Sequence, residues 1–332
     1  MKYRSRQLIA EIPTLHSLTK VLNMPKFTLN ILGCGSATAS LRHFPSSQVL
    51  DIRDNLFMID CGEGAQLQMR KMALKFSRLG NIFLSHLHGD HCFGLPGLIS
   101  TMALLGKTGT LTAHTFEDGE RIFRQILDYF CRELPFEVKF NIINPKKKQV
   151  IYEDDAITVT AFPLYHRIST VGFIFAEKPK LRHINGEMAK FHNIPHYKLN
   201  EIRNGADYVT PEGSVIENHL LTTPADPCIS YAYCSDTKKS ARVASAIHGT
   251  DWVYHEATYD ASFEKKAKLR GHSTSTDAAD IALKAEAKHL ILGHFSKRYL
   301  DTAPLVEEAR KIFPSTIAAD ECMVIDLTKP LT

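Results

Sequence analysis

Ser85-His86-Leu87-His88-Gly89-Asp90-His91 is the stretch on which the reading of this 332-residue chain turns. It packs three imidazoles and a carboxylate into the positions from His86 to His91. Imidazole nitrogen and carboxylate oxygen are good ligands for zinc, and a bound divalent ion acidifies its water. In an extended segment His86 and His88 point the same way. A turn at Gly89 then swings Asp90 and His91 towards a second ion. The bland alternative is a solvated histidine loop. Donors this dense are costly to bury unpaired, which favours a metal centre.

Working outward, separate apolar runs each end in a metal-type residue. Residues 82–84 lead to His86 and 157–163 to His166. Residues 229–233 lead to Asp236 and 290–292 to His294. If these runs are adjacent strands, their ends converge on one sheet edge. One ion can then take His86, His88 and His166, the other Asp90, His91 and His294, with Asp236 bridging. Such a pair, roughly 3.5–4 Å apart, clamps the attacking and leaving oxygens of an in-line displacement. Further strands are expected at 27–32, 55–59, near 137–143 and at 252–254, with helices at 65–76, 98–105, 276–287 and 304–312. Short strands alternating with helices and glycine turns predict a layered α/β protein.

Composition excludes little: 44% hydrophobic, 23% charged, net charge +4 and pI about 8.6. That balance is ordinary for a globular chain and does not by itself mark a nucleic-acid binder. No apolar stretch reaches membrane-span length. Met1 to Pro25 lacks the apolar core of a secretory signal. Met24 directly precedes the first strand-like run, so residues 1–25 read as an N-terminal extension, an upstream-start artefact or loosely docked tail. The catalytic domain is expected over 26–332. The seven cysteines are odd in number and form no Cys-x-x-Cys pair, which fits free buried thiols and a cytoplasmic location.

The motifs together resemble a known family. Leu32-Gly-Cys-Gly-Ser-Ala37, Ile59-Asp-Cys-Gly-Glu-Gly-Ala-Gln66 and Ser85 to Leu98 look like the successive motifs of metallo-β-lactamase-fold hydrolases. His166 with Gly172-Phe173, Tyr233-Cys-Ser-Asp-Thr237 and Ile291-Leu-Gly-His-Phe-Ser-Lys-Arg-Tyr299 continue the series. His255-Glu-Ala-Thr258 and His272-Ser-Thr274 narrow the resemblance to ribonuclease Z, across essentially all of 27–328. It implies an αββα four-layer sandwich with a projecting arm at about 177–226. It also implies two zinc ions per subunit, with manganese or iron possible, and a homodimer. The implied activity is a hydroxide attack that removes the 3′ trailer of precursor tRNA and leaves a 3′-hydroxyl. By resemblance Asp90 accepts a proton as well as ligating. His272, oriented by Glu256, donates one to the departing oxygen. An ordinary ion pair would use the same two residues. Asp60 corresponds to a supporting aspartate, and a strand-end turn would equally explain it.

The arm is rich in Lys178, Lys180, Arg182, Lys190, Lys198 and Arg203, against Glu187 and Glu201 over 178–203. In the family this position grips the tRNA elbow. Here Asn193-Ile-Pro-His-Tyr-Lys-Leu199 lacks the family's glycine-rich turn. Arg298 is a candidate phosphate contact. Lys75 and Arg78 are candidates for the path of the 3′ end, or plain surface charges. The rivals are a small-molecule hydrolase of the same fold and a catalytically dead RNA-binding member. The intact ligand set argues against the second.

Overall fold

Residues of the strand Asn55–Cys61 alternate between two cores. Phe57 and Ile59 face one apolar cluster and Leu56 and Met58 another. That period of two is what a sheet buried on both faces requires. A register slip at Asp60, φ 54, then puts Cys61 in the second cluster, out of phase. The computed structural model describes residues 27–331 except Ala39. The expectation for residues 1–25 lies outside the described residues.

Two seven-stranded sheets stack face to face. The first runs, in spatial order, Val324–Asp326, Phe27–Gly33, Ser47–Ile52, Asn55–Cys61, Leu79–Phe83, Thr110–Thr115 and Glu137–Ile142. The second runs Thr316–Ala318, His289–Gly293, Trp252–Glu256, Ser230–Cys234, Val171–Glu177, Ile157–Pro163 and Gln149–Glu153. Phe27, Leu29, Ile31 and Phe83 of the first sheet share one core with Val159, Phe173, Phe175 and Tyr231 of the second. Helices Leu95–Leu104 and Glu117–Phe130 cover the outer face of the first sheet through Leu98, Ile99, Met102, Phe123 and Leu127. Ser275–Lys284 and Ala303–Arg310 cover the second through Ala278, Ile281, Leu305 and Ala309. The layers therefore read αββα.

Several boundaries differ from those the sequence suggests. The helix from Ala65 stops at Lys71, because Ala73 takes φ 55 and a 3₁₀ turn follows at Phe76–Arg78. The helix expected from residue 98 starts at Leu95, with Pro96 accommodated in its first turn. Ser47–Ile52, Thr110–Thr115 and the helix Glu117–Phe130 were not anticipated.

Between Glu177 and Ser230 the chain leaves the second sheet. It forms short helices, Gly186–Phe191, Leu199–Arg203 and Asn218–Leu221, a small hairpin, Tyr208–Val209 with Val215–Ile216, and a short antiparallel ladder that joins His183–Ile184 to Thr222–Thr223 at the base. Ile202, Tyr208, Ile216 and Leu221 give this insertion a core of its own.

Candidate metal centre

The strand Leu79–Phe83 delivers Ser85, His86 and His88, and a single helical turn, Gly89–Cys92, turns Asp90 and His91 back. The turn packs tightly against the loop after Asp60: a Cβ at Gly62 would meet the Asp90 carbonyl oxygen at 2.6 Å. From the second sheet, Ile157–Pro163 leads to His166, Ser230–Cys234 to Asp236 and His289–Gly293 to His294. The structure thus brings all seven expected ligand residues to one edge of the sandwich.

They fall into two groups. In one, His86 Nε2 lies 3.0 Å from His88 Nδ1, which lies 3.3 Å from His166 Nε2. Asp236 Oδ2 is 3.6 Å from His86 Nε2 and 3.7 Å from His166 Nε2. In the other, His91 Nε2, His294 Nε2 and Asp90 Oδ2 are 3.3–3.4 Å apart. Asp236 Oδ1 is 3.4 Å from His91 and 3.2 Å from His294. A tetrahedral ion with ligands at about 2.0–2.1 Å sets its donors roughly 3.3 Å apart, so the second group matches such an ion closely. Asp236 divides its oxygens between the groups, as a bridge would.

Two observations test the fit of metal ions independently of distance. Asp236 Oδ1 is buried and has no hydrogen-bond partner among the described residues. A buried carboxylate oxygen without a directed hydrogen bond is costly unless positive charge faces it, here the His91 and His294 rings or a cation held between them. Carboxylates also crowd the site. Burial alone would raise the Asp90 carboxyl, yet His91 and His294 hold it well below the usual carboxylate range. Burial would likewise strip His91 of charge, but Asp90, Asp60 and Asp236 push its pKa well above the ordinary value. The cluster calls for positive charge.

The outer nitrogens are fixed. His91 Nδ1 bonds Asp60 Oδ2 at 2.7 Å, His166 Nδ1 bonds the Gly271 carbonyl at 2.7 Å, and His294 Nδ1 bonds Thr258 Oγ1 at 2.8 Å. Asp60 also accepts from Ser85 N–H, Ser85 Oγ and Tyr233 O–H. A carboxylate so saturated holds its histidine's orientation and tautomer. Asp60 and His294 adopt φ 54 and 57, a left-handed backbone that costs on the order of 1–3 kcal/mol for a non-glycine residue. Ser85, Tyr233 and Thr258 stand inside the motifs quoted above without an assigned role, and Gly271 lies outside them, because each acts through the fold rather than through a ligand spacing.

Glu256 ends the strand Trp252–Glu256 and is fully buried. Its Oε1 accepts from Thr237 N–H at 2.8 Å and from His272 Nδ1 at 3.0 Å, and its Oε2 accepts from Thr258 Oγ1 at 2.6 Å. Burial opposes a charged His272, but Glu256 and then Asp236 push its pKa up to about 9.

The metal edge opens into a pocket of about 490 Å³. His88, Asp90, Asp236, His272 and His294 form its floor, and Arg167, Lys266, Arg270, Lys297 and Arg298 stand round it. Arg298 packs its guanidinium 4.4 Å from the Phe263 ring and 5.0 Å from Tyr259. Of these cations the sequence reading named only Arg298. The signal missed for Arg167 and Lys297 was their adjacency to ligand motifs.

Neither Arg78 nor Lys75 lines the pocket. Arg78 precedes the strand whose far end carries His86, roughly 15 Å away at strand rise, and it pairs with Asp51 and Asp54. The glycine turn spends its amides inside the fold: Gly35 N–H on Phe44 O, Ser36 N–H on Phe295 O. In the insertion, Lys178 pairs with Glu153, Lys198 with Glu201, and Lys180 with the buried Glu177 at 2.6 Å. Arg182 bonds Thr222 Oγ1 and Arg203 bonds the Arg182 carbonyl, while Lys190 stays exposed.

Relatives decide between hydrolases that share such an edge. The chain is 52% identical over 300 residues to the ribonuclease Z of Parabacteroides distasonis, spanning 90% of this chain and 99% of that protein. It is 52% identical over 304 residues to the ribonuclease Z of Bacteroides fragilis, spanning 92% and 100%. The chain belongs to the ribonuclease Z family. Human tRNase Z, short form, superposes with a TM-score of 0.65 at 25% identity, covering 90% of this chain and 99% of that one. The metallo-β-lactamase sandwich expected from the motifs is therefore borne out. Residues 27–179 also match the family model described as Anti-Pycsar protein Apyc1. That match ends where the insertion begins. Ribonuclease Z membership makes the protein a hydrolytic nuclease, and its His and Asp groups are arranged so that they could hold metal.

Proposed function

We propose that the protein is a metal-dependent endoribonuclease that removes the 3′ trailer from precursor tRNA and leaves a 3′-hydroxyl. The observation that carries this is the pairing of His272 with buried Glu256 at the rim of two donor groups joined by Asp236. His86, His88, His166 and Asp236 would hold one ion, and Asp90, His91, His294 and Asp236 the other. Zinc suits these donors, and manganese or iron would also fit. Bound there, the ions supply Lewis acidity and a more acidic water.

The chain's own groups do the rest. His272 spends Nδ1 on Glu256, which leaves Nε2 to give a proton to the departing ribose oxygen. Asp90 accepts the water proton. Arg167, Lys297 and Arg298 face the pocket and would neutralise the phosphates flanking the cut. The insertion would lie along the tRNA body, with exposed Lys190 and Tyr197 the groups freest to touch it.

A homodimer and a cytoplasmic location complete the reading. Every cysteine in the described residues is free, and no helix there is long and apolar enough to cross a membrane. The test is to incubate the zinc-loaded protein with precursor tRNA bearing a 3′ trailer and map the product ends. Cleavage beside the discriminator nucleotide is expected. Brisk lactone or thioester hydrolysis without that cut would overturn the reading.

A further inference from the structure

A second cluster of metal-type donors lies outside the pocket. Cys34 and His43 belong to the loop after the strand Phe27–Gly33, while Asp320 and Glu321 lie between Thr316–Ala318 and Val324–Asp326. Their ligating atoms all lie within 4.8 Å of one another. We propose that Cys34, His43, Asp320 and Glu321 form a separate structural site for a zinc-class divalent cation, clasping the Cys34–His43 loop to the C-terminal turn.

The donor chemistry supports a borderline-soft dication: one thiolate, one imidazole and two carboxylates. Spacing supports it too. Tetrahedral ligands at about 2.0–2.3 Å stand roughly 3.3–3.8 Å apart. Cys34 Sγ is already 3.4 Å from His43 Nδ1, and His43 Nδ1 is 3.8 Å from Asp320 Oδ1. The His43 Nδ1–Glu321 Oε2 contact, 2.7 Å, must open, and the remaining donor pairs, all within 4.8 Å, must close by no more than about 1 Å. Glu321 is already oriented: Oε1 accepts the Cys34 and Phe44 N–H groups at 3.3 and 3.0 Å, which leaves Oε2 towards His43. His43 Nε2 is buried and has no hydrogen-bond partner among the described residues, so Nδ1 is the nitrogen the ring offers. Asp320 is 67% exposed at its side chain and gives the ion a way in.

Binding would take the proton from the Cys34 thiol and release it to solvent. The ring proton would pass from Nδ1 to Nε2, where it finds no acceptor. That unpaired N–H and the displaced His43–Glu321 hydrogen bond make this site weaker than the pair proposed above, so it fills last. Without an ion the same groups are a hydrogen-bonded staple, and the two states are separable by spectroscopy.

The donors assigned to the catalytic pair include no sulfur, so a thiolate-to-cobalt charge-transfer band reports this site alone. Full-length metal-free protein titrated with Co²⁺ should develop that band after the first two equivalents. It should vanish in Cys34→Ser and persist in Cys92→Ala, the cysteine that follows His91 in the chain. Because Asp320 is exposed, Asp320→Asn should keep the fold and melting temperature while binding the third ion at least tenfold more weakly. A folded wild type that shows no thiolate band at saturating Co²⁺, or equal zinc content in wild type and Asp320→Asn, overturns the site. Loss of tRNA cleavage with the band intact would count against the proposed function and leave this site standing.

Discussion

Single side chains make the sharpest test of the proton route. General acid catalysis contributes about 10²–10⁴-fold, so His272→Ala is expected to lower kcat by that order while elemental analysis finds the metal content unchanged. Glu256→Gln should do similar damage by a different path. It keeps the shape but removes the charge that holds His272 protonated. A small effect of both, with metal retained, would reduce the pair to an ordinary buried ion pair. Asp60 makes a separate prediction. It ligates nothing, yet it receives Ser85, Tyr233 and His91. Asp60→Asn should weaken metal affinity by about 10–100-fold, measured by competition with a chromophoric chelator.

At the scale of elements, the insertion shows where sequence reading works and where it stops. Loss of periodicity after Glu177 located it, and its basic residues were plain. What the sequence could not show is that most of those cations are already engaged. Lys180 is spent on Glu177, a partner three residues back that only the fold makes buried. Charge composition counts cations but not their partners. The same limit applies to the helix Glu117–Phe130. Its acidic first turn suits a helix start, but Asp118-Gly119 inside that turn carries a loop signature that masks the helix in the sequence. The ligands themselves were legible because a strand end followed by His or Asp is a local pattern. Thr258 and Gly271, which steady those ligands, were not, since nothing local distinguishes a threonine or a carbonyl that will meet a histidine. The test of the insertion must therefore spare Lys180. Lys190→Ala with Tyr197→Ala should raise KM for precursor tRNA several-fold and leave hydrolysis of a small phosphodiester unchanged. If Lys190 meets a phosphate, the slope of log affinity against log salt should shrink by about 1.

The whole molecule carries a liability at acid pH. His114 is buried between the sheets, stacked on Phe83 at 4.2 Å. Its Nε2–H donates to Asn81 Oδ1 and its Nδ1 accepts from Asn141 Nδ2, both at 3.0 Å. Protonation would set Nδ1–H against an amide donor, and burial holds its pKa down at about 3. A histidine with a lowered folded pKa stabilises the fold above its unfolded value, near 6.5. It gives up that stability as pH falls towards the folded value. Between pH 7 and pH 5 the loss from this residue should be about 2 kcal/mol. Urea titrations of wild type and His114→Gln at both pH values should show a flatter dependence in the variant, whatever its stability at pH 7. Equal slopes would show that the ring takes no part.

His86, His88, Asp90 and His91 ride on one sheet and His166, Asp236 and His294 on the other. At the same edge the Val171 N–H bonds the Ser85 carbonyl at 2.9 Å across the seam. The proposed ions are then fasteners between two plates, set at one margin of a sandwich held mostly by apolar packing and a few buried hydrogen bonds such as Tyr233 to Asp60 and Tyr231 to Gln48. Stripping them should loosen that margin first. Amide exchange should quicken around Ser85 and Val171 well before it does at Leu29 or Leu290, deep in the shared core.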